Sequence, residues 1–292
     1  MQHPPREQFR TRAINAPAHP PDMQSAAMPP RARGAVSISA KPGPRGSALD
    51  RMRQAGSLKV LFPRRQSEAL DAVLVNTAGG VTGGDRFKTE ATAATGTMLT
   101  ITTQAAERAY RAMPGQTGTI DNVLTVETGA QINWLPQETI LFQGSALKRR
   151  LCVDLQSEAK LLICEPLVFG RTAMNETLTD AALADEIRVT RNGSPLYIDR
   201  LVMNGDLQAK LARAGVAAGA GALATVLFIA PNAEAHIKAL RKLCPDSGGV
   251  SLLGPDTLTI RLLALDSHIL RQSLIPILNR LSGATLPRPW ML

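Results

Sequence analysis

The chain has 292 residues, 44% of them hydrophobic and 20% charged, with a formal net charge of +9 and a pI near 10. That apolar content supports a substantial core and excludes a wholly disordered protein, while the length admits one large or two small domains. The charge is uneven: up to residue 53, nine Lys or Arg stand against Glu7, Asp22 and Asp50, giving +6, whereas the other 239 residues carry only +3 from 24 bases and 21 acids. Ten residues are Phe, Trp or Tyr and none is interleaved with a basic cluster, which removes the stacking platform of a single-strand nucleic-acid binder.

The first thirty residues hold seven prolines and little apolar material, so they cannot offset their ordering entropy. Residues 1–33 read as a disordered, Pro-rich basic tail and residues 34–292 as a single domain. No apolar stretch follows the N-terminal arginines, which argues against a secretory signal, and the prolines break any amphipathic transit helix. Short alternating runs then predict strands at residues 70–76, 97–104, 119–126, 130–135, 138–142, 147–155 and 159–169. A hairpin follows over 186–191 and 195–203, joined by Asn192-Gly193, the pair that favours a type I′ turn.

Between Arg213 and Glu234 the chain carries no charge. Only Leu223 to Ile229 is strongly apolar, too short to cross a bilayer, so the run reads as a Gly-rich loop entering a buried strand. Further strands are predicted at 223–230, 250–253 and 257–265. A helix over 233–243 has Asn232 as its predicted cap and Pro245 beyond its end; a second, over 267–282, starts after Asp266, carries Ile269, Leu270, Leu274, Ile277, Leu278 and Leu281, and ends at Gly283. Pro276 is expected to kink it. Turns about every ten residues point to a mainly β sandwich, barrel or stacked solenoid, among which pattern alone does not choose.

The segment Asn76-Thr-Ala-Gly79-Gly80-Val-Thr-Gly83-Gly84-Asp85-Arg-Phe87 is the most specific in the chain. Paired glycines allow positive φ at an entropic cost, and Asp85 stands where its carboxylate can accept from the amides such a turn leaves free. Three readings compete: a phosphate cradle, a carboxylate held on a tight loop, and a sharp corner between strands. The first needs a helix next, whereas Lys88 to Gln104 is Thr-rich and alternating, as in strands.

No catalytic constellation stands out. The histidines and Cys152, Cys164 and Cys244 are scattered, without a Cys-x-x-Cys pair or a Gly-x-Ser-x-Gly elbow, and the odd cysteine count suits a reducing cytoplasm.

Five motifs occur in the same order as in the UreD (UreH) urease accessory family, which this chain resembles over roughly residues 48–292. They are the Gly-Gly-x-x-Gly-Gly-Asp loop, Thr102-Thr103-Gln104-Ala-Ala-Glu107-Arg-Ala-Tyr-Arg111, Asn133-Trp-Leu-Pro-Gln137-Glu138-Thr-Ile-Leu-Phe142, Phe169-Gly-Arg171-Thr-Ala-Met-Asn-Glu176 and Pro287-Arg-Pro-Trp290. Gly56 to Arg64 is similar to the family's early strand. The resemblance implies many short strands in a β-helix-like stack of sheets, with two helices in the C-terminal half. It implies a non-enzymatic cytoplasmic scaffold that binds apo-urease and UreF, with UreF holding the GTPase UreG. Nickel would then be in transit and no cofactor tightly bound. A conduit must attract an ion yet release it, which suits oxygen ligands. Asp85, Glu138 and Glu176 are the expected path residues, Asp85 and Glu138 first, and Glu107 is a fourth candidate. Thr102, Thr103, Gln104 and Gln137 are polar neighbours, and Arg111 and Arg171 orient or neutralise carboxylates. Two alternatives stand beside this: a nucleic-acid-associated protein using the basic tail, and an enzyme using the glycine loop for phosphate.

Overall fold

Alternating strands need a partner layer for their apolar face, and this chain supplies it by winding. The computed structural model describes residues 30–64, 67–171 and 174–291, and from Arg31 onward the chain forms one compact unit. A hairpin of β1 (Arg33–Gly43) and β2 (Gly46–Gly56) leads into β3 (Leu58–Leu61) and β4 (Leu70–Asn76). Next come β5 (Arg86–Ala93), β6 (Met98–Thr103), β7 (Glu107–Ala109), β8 (Gly118–Val126), β9 (Gln131–Leu135), β10 (Thr139–Leu141), β11 (Ala146–Leu155), β12 (Lys160–Phe169) and β13 (Ala181–Arg191). The remainder is β14 (Ser194–Gly205), α1 (Leu207–Ala212), β15 (Ala222–Ile229), α2 (Ala233–Leu243), β16 (Gly248–Gly254), β17 (Thr257–Ala264) and α3 (Ser267–Ser282).

A seven-stranded sheet runs β14-β13-β11-β8-β5-β1-β2, and a ten-stranded sheet runs β16-β17-β15-β12-β9-β6-β4-β3, with β10 and β7 attached through β12. From β4 to β13 each circuit lays one parallel strand on each sheet, which makes a β-solenoid-like stack. Antiparallel strands finish it: β2 and β14 on the first sheet, and β3, β15, β17 and β16 on the second.

The main core lies between the sheets, where Ile38, Leu74, Leu99, Ile101, Leu124, Ile132, Leu151 and Ile163 meet. A second core packs α2, α3 and Trp290 on the far side of the ten-stranded sheet. Strand β12 is therefore covered on both faces and reads as a continuous buried run rather than an alternating one, apolar but for Glu165 after its first residue. Pro166 sits within it without costing a ladder bond on that side: pairing to β9 ends at Ile163 and pairing to β10 begins at Leu167.

Most predicted strands form within a residue or two of the expected bounds, and the Asn192-Gly193 turn has φ of 49° and 76°, as type I′ requires. The uncharged run is a series of turns entering β15, and no helix among the described residues is long and apolar enough to cross a membrane. Three readings need amending. The first 29 residues of the expected tail lie outside the described residues, but its last residue, Arg33, already opens β1, and the basic residues Lys41, Arg45, Arg51 and Arg53 fall in the β1–β2 hairpin of the expected domain. Gly, Ala, Ser and Pro dilute the apolar signal there. The short α1 was not expected. Asn232 does not cap α2 with its side chain; its Nδ2 instead lies 3.2 Å from His236 Nε2. Asp266 does cap α3, accepting from Ile269 N at 2.8 Å, and Gly283 ends that helix at φ 67°. Pro276 lies inside the helix, which continues through it.

Trp290 is fully buried and donates through Nε1 to Leu135 O at 2.8 Å. Trp290→Ala is expected to cost about 3–5 kcal/mol in urea unfolding, since the site combines a large cavity with an orphaned carbonyl.

Candidate functional site

Four of the five motifs, far apart in sequence, are stitched together where the loops after β4, β7, β10 and β12 meet. The glycine loop bridges to β7: Val81 N donates to Arg108 O at 2.8 Å, Tyr110 N donates to Val81 O at 2.8 Å, and Thr82 Oγ1 donates to Arg111 O at 2.7 Å. Gly80 has φ 155°, and a Cβ there would lie 2.3 Å from Tyr110 Cε2 and 2.6 Å from Arg108 O. Gly80→Ala is therefore expected to lower stability by about 1–3 kcal/mol, read as a drop in melting temperature. Gly83 is needed for closeness, with Gln116 and Ala112 Cβ atoms 2.7 and 2.8 Å from where its own would be. Gly79 and Gly84 have positive φ. A strand, β5, follows the loop, so it lacks the helix N-terminus of a phosphate cradle.

Asp85 is buried and bonded through both oxygens, Oδ1 accepting from Ala32 N at 2.7 Å and Oδ2 from Thr82 N at 2.9 Å. It closes the loop and ties it to the entry of β1. Glu138 is held by Arg271, whose Nη1 lies 3.4 Å from its Oε1 and 2.9 Å from Gln137 Oε1. The same guanidinium donates to Pro289 O at 2.6 Å and lies 5.0 Å from the Trp290 ring centre, joining this loop to the closing motif. Glu176 accepts from Arg171 N, Nε and Nη2, and this pairing holds its carboxyl below the ordinary range. Arg171 also stacks over Phe142 at 4.4 Å, and Phe142 meets Tyr110 edge-on at 5.1 Å. Arg111 packs along Gly144. Arg171 thus pairs with a carboxylate and Asp85 meets backbone amides, and Asp85, Glu138 and Glu176 each face a separate partner rather than one another.

Glu107 stands apart. Asn76 Nδ2 donates to both its oxygens at 3.1 Å, yet burial pushes its carboxyl above the ordinary value. It lines a cavity of about 180 Å³ between the two sheets, with Asn76, Gly79, Gly80, Thr103 and Gln137 beside it. Thr103 Oγ1 accepts from Gln137 N at 2.9 Å, and Gln137 Nε2 is buried without a partner. Gln104 lies at the cavity's edge and exposed, while Thr102 points to the opposite side of β6, its buried Oγ1 unpartnered.

The far wall of this cavity holds a charged node that the motifs did not mark. Arg149 on β11 grips Asp185 on β13 through Nε and Nη2 at 3.0 and 2.6 Å, and its Nη1 lies 2.8 Å from both Glu165 Oε2 and Thr139 Oγ1. Trp134 Nε1 donates to the other Glu165 oxygen at 2.6 Å. Burial by itself would lower the guanidinium's pKa, but the Asp185 and Glu165 charges outweigh it and raise it further; burial raises that of Glu165. Strand parity carries the missing signal: Arg149 shares the inward positions of β11 with Leu147, Leu151 and Val153, and Glu165 those of β12 with Ile163 and Leu167. A charge at an inward position is a buried charge.

The fold and site define a two-sheet β-solenoid with a packed helical flank, a largely apolar intersheet cavity that carries Glu107, Asn76, Gln137 and the Arg149–Glu165 pair in its lining, and a motif-built end. Compared with known proteins, residues 31–291 match the family described as UreD urease accessory protein. Relatives include the urease accessory protein UreD of Ruegeria pomeroyi, 53% identical over 84% of this chain and 95% of its own length. The corresponding protein of Roseobacter denitrificans is 49% identical over 90% and 96%, and that of Bradyrhizobium diazoefficiens is 42% identical over 89% and 94%. The chain belongs to the UreD urease accessory family.

Proposed function

We propose that this chain is a non-catalytic, cytoplasmic scaffold for urease maturation, which binds apo-urease and UreF and helps nickel pass from UreG, held by UreF, into the urease active site. The observation that carries this reading is the family match across the whole described body, residues 31–291. The geometry supports a passage rather than a fixed site. In the intersheet cavity Glu165 and Thr139 are engaged by Arg149, which leaves Glu107 with Asn76 and Gln137 as the oxygen and amide ligands. Such ligands draw in a divalent cation without the imidazole or thiolate set that holds it.

Of the expected path residues, Asp85, Glu138 and Glu176 then serve mainly to shape and charge the rim, while Glu107 faces the ion. Asp85→Ala is expected to free two backbone amides and loosen the glycine loop, lowering activation through structure. The function itself is tested in a urease-producing strain deleted for its own UreD. This chain should restore nickel-dependent urease activity and co-purify with UreF and apo-urease. Full activity in the deleted strain without it, or restoration without either association, would sink the reading.

A further inference from the structure

Parallel sheets are ordinarily covered on both faces. Here β1, β5, β8, β11 and β13 form an unbroken parallel run, yet among the described residues no element covers the outward face of the seven-stranded sheet. At one end of that face Arg33 is in register with Arg86, Arg86 with Thr119, and Thr119 with Lys148. Three exposed cations therefore stand in one row within about 15 Å, and none has an ion-pair partner among the described residues. Beside them the pairs Arg150–Asp121 and Arg200–Glu186 are satisfied on the face itself, so the surplus is local. Toward the β14 side large apolar side chains lie open, Val202 75% and Ile198 53% exposed, with Val123 nearer the middle.

We propose that this bare face is a docking surface for a protein partner presenting an acidic row beside an apolar patch. Like charges in a row repel one another, and an acidic counter-surface removes that cost while the apolar residues leave water. Six strands about 4.8 Å apart and about eight residues long give roughly 700 Å², close to the ~800 Å² that each side of a standard interface buries. A second copy of this chain is disfavoured by its own net charge of +9. Nucleic acid is disfavoured because carboxylates at Glu90, Asp121 and Glu186 are interspersed among the cations and the open apolar groups have no phosphate to meet.

The inference rests on the maturation reading for its probes. The full chain is immobilised and titrated with purified apo-urease, UreF and a 20-base-pair DNA duplex. Charge reversal in R33E/R86E/K148E is expected to weaken one protein partner roughly tenfold at 0.1 M salt and leave the other within about twofold. The wild-type affinity for the first should fall with salt, and I198S/V202S should weaken that same partner. Unchanged binding of both proteins by the triple variant overturns this proposal alone, as does equal loss of both. Duplex binding that the triple variant abolishes gives the face to nucleic acid and overturns it too. If the wild-type chain captures neither protein, the partner reading above fails and this one falls with it.

Discussion

Arg149→Ala is expected to unfold at much lower urea than the parent chain, a loss of about 3–5 kcal/mol. The substitution leaves the buried Glu165 and the half-buried Asp185 with no counter-charge, Thr139 Oγ1 without its donor, and Trp134 attached to a carboxylate that no longer has a cation. The size comes from the abandoned charges, not from the worth of the ion pair, because removing all of them together is a different experiment. The triple change R149M/E165M/D185L fills the space with apolar groups and leaves the Trp134 indole N–H without its acceptor, a cost of about 1–3 kcal/mol. It should therefore be more stable than Arg149→Ala despite carrying two more substitutions. Equal or greater instability of the triple variant would show that the node stabilises the fold by more than mutual neutralisation.

That node also shows where sequence reading stops. The glycine loop was legible because its constraint is local: positive φ and close approach leave glycine as the residue that fits, and Asp85 accepts from one amide of the loop, Thr82 N, as expected, while its second donor, Ala32 N, lies 53 residues away. The Asn192-Gly193 turn and the Asp266 cap were legible for the same reason. Arg149 sits inside Lys148-Arg149-Arg150, which looks like a solvated charge run until strand parity separates the inward residue from its outward neighbours. Even then, that it faces Asp185 follows from the register of β11 on β13, a pairing 36 residues apart in the chain. The β1–β2 hairpin was hidden for a different reason, since β2 has few buried positions and so little alternation to detect. Cavity and docking face alike arise from how the coils stack, a property of the whole winding and of no single segment.

Glu107→Gln should move stability and function in opposite directions. Burial raises the Glu107 carboxyl, with the Asn76 amide only partly offsetting it. Below the ordinary glutamate value of about 4.3 the group is protonated both folded and unfolded, and its burial carries no charge. As pH rises the unfolded chain releases its proton first, so stability falls until the raised folded value is passed and then levels off. The amide variant has no proton to lose. It should match the parent below about pH 4 and exceed it at pH 7 in urea midpoint, with the difference opening as the pH rises past the unfolded value. In the complemented urease strain, by contrast, it should activate the enzyme roughly tenfold less, the scale of one lost charge contact of about 1.4 kcal/mol. A carboxylate whose amide replacement is more stable yet less active would serve the proposed passage rather than the fold. If the variant is both more stable and fully active, Glu107 has no part in the passage.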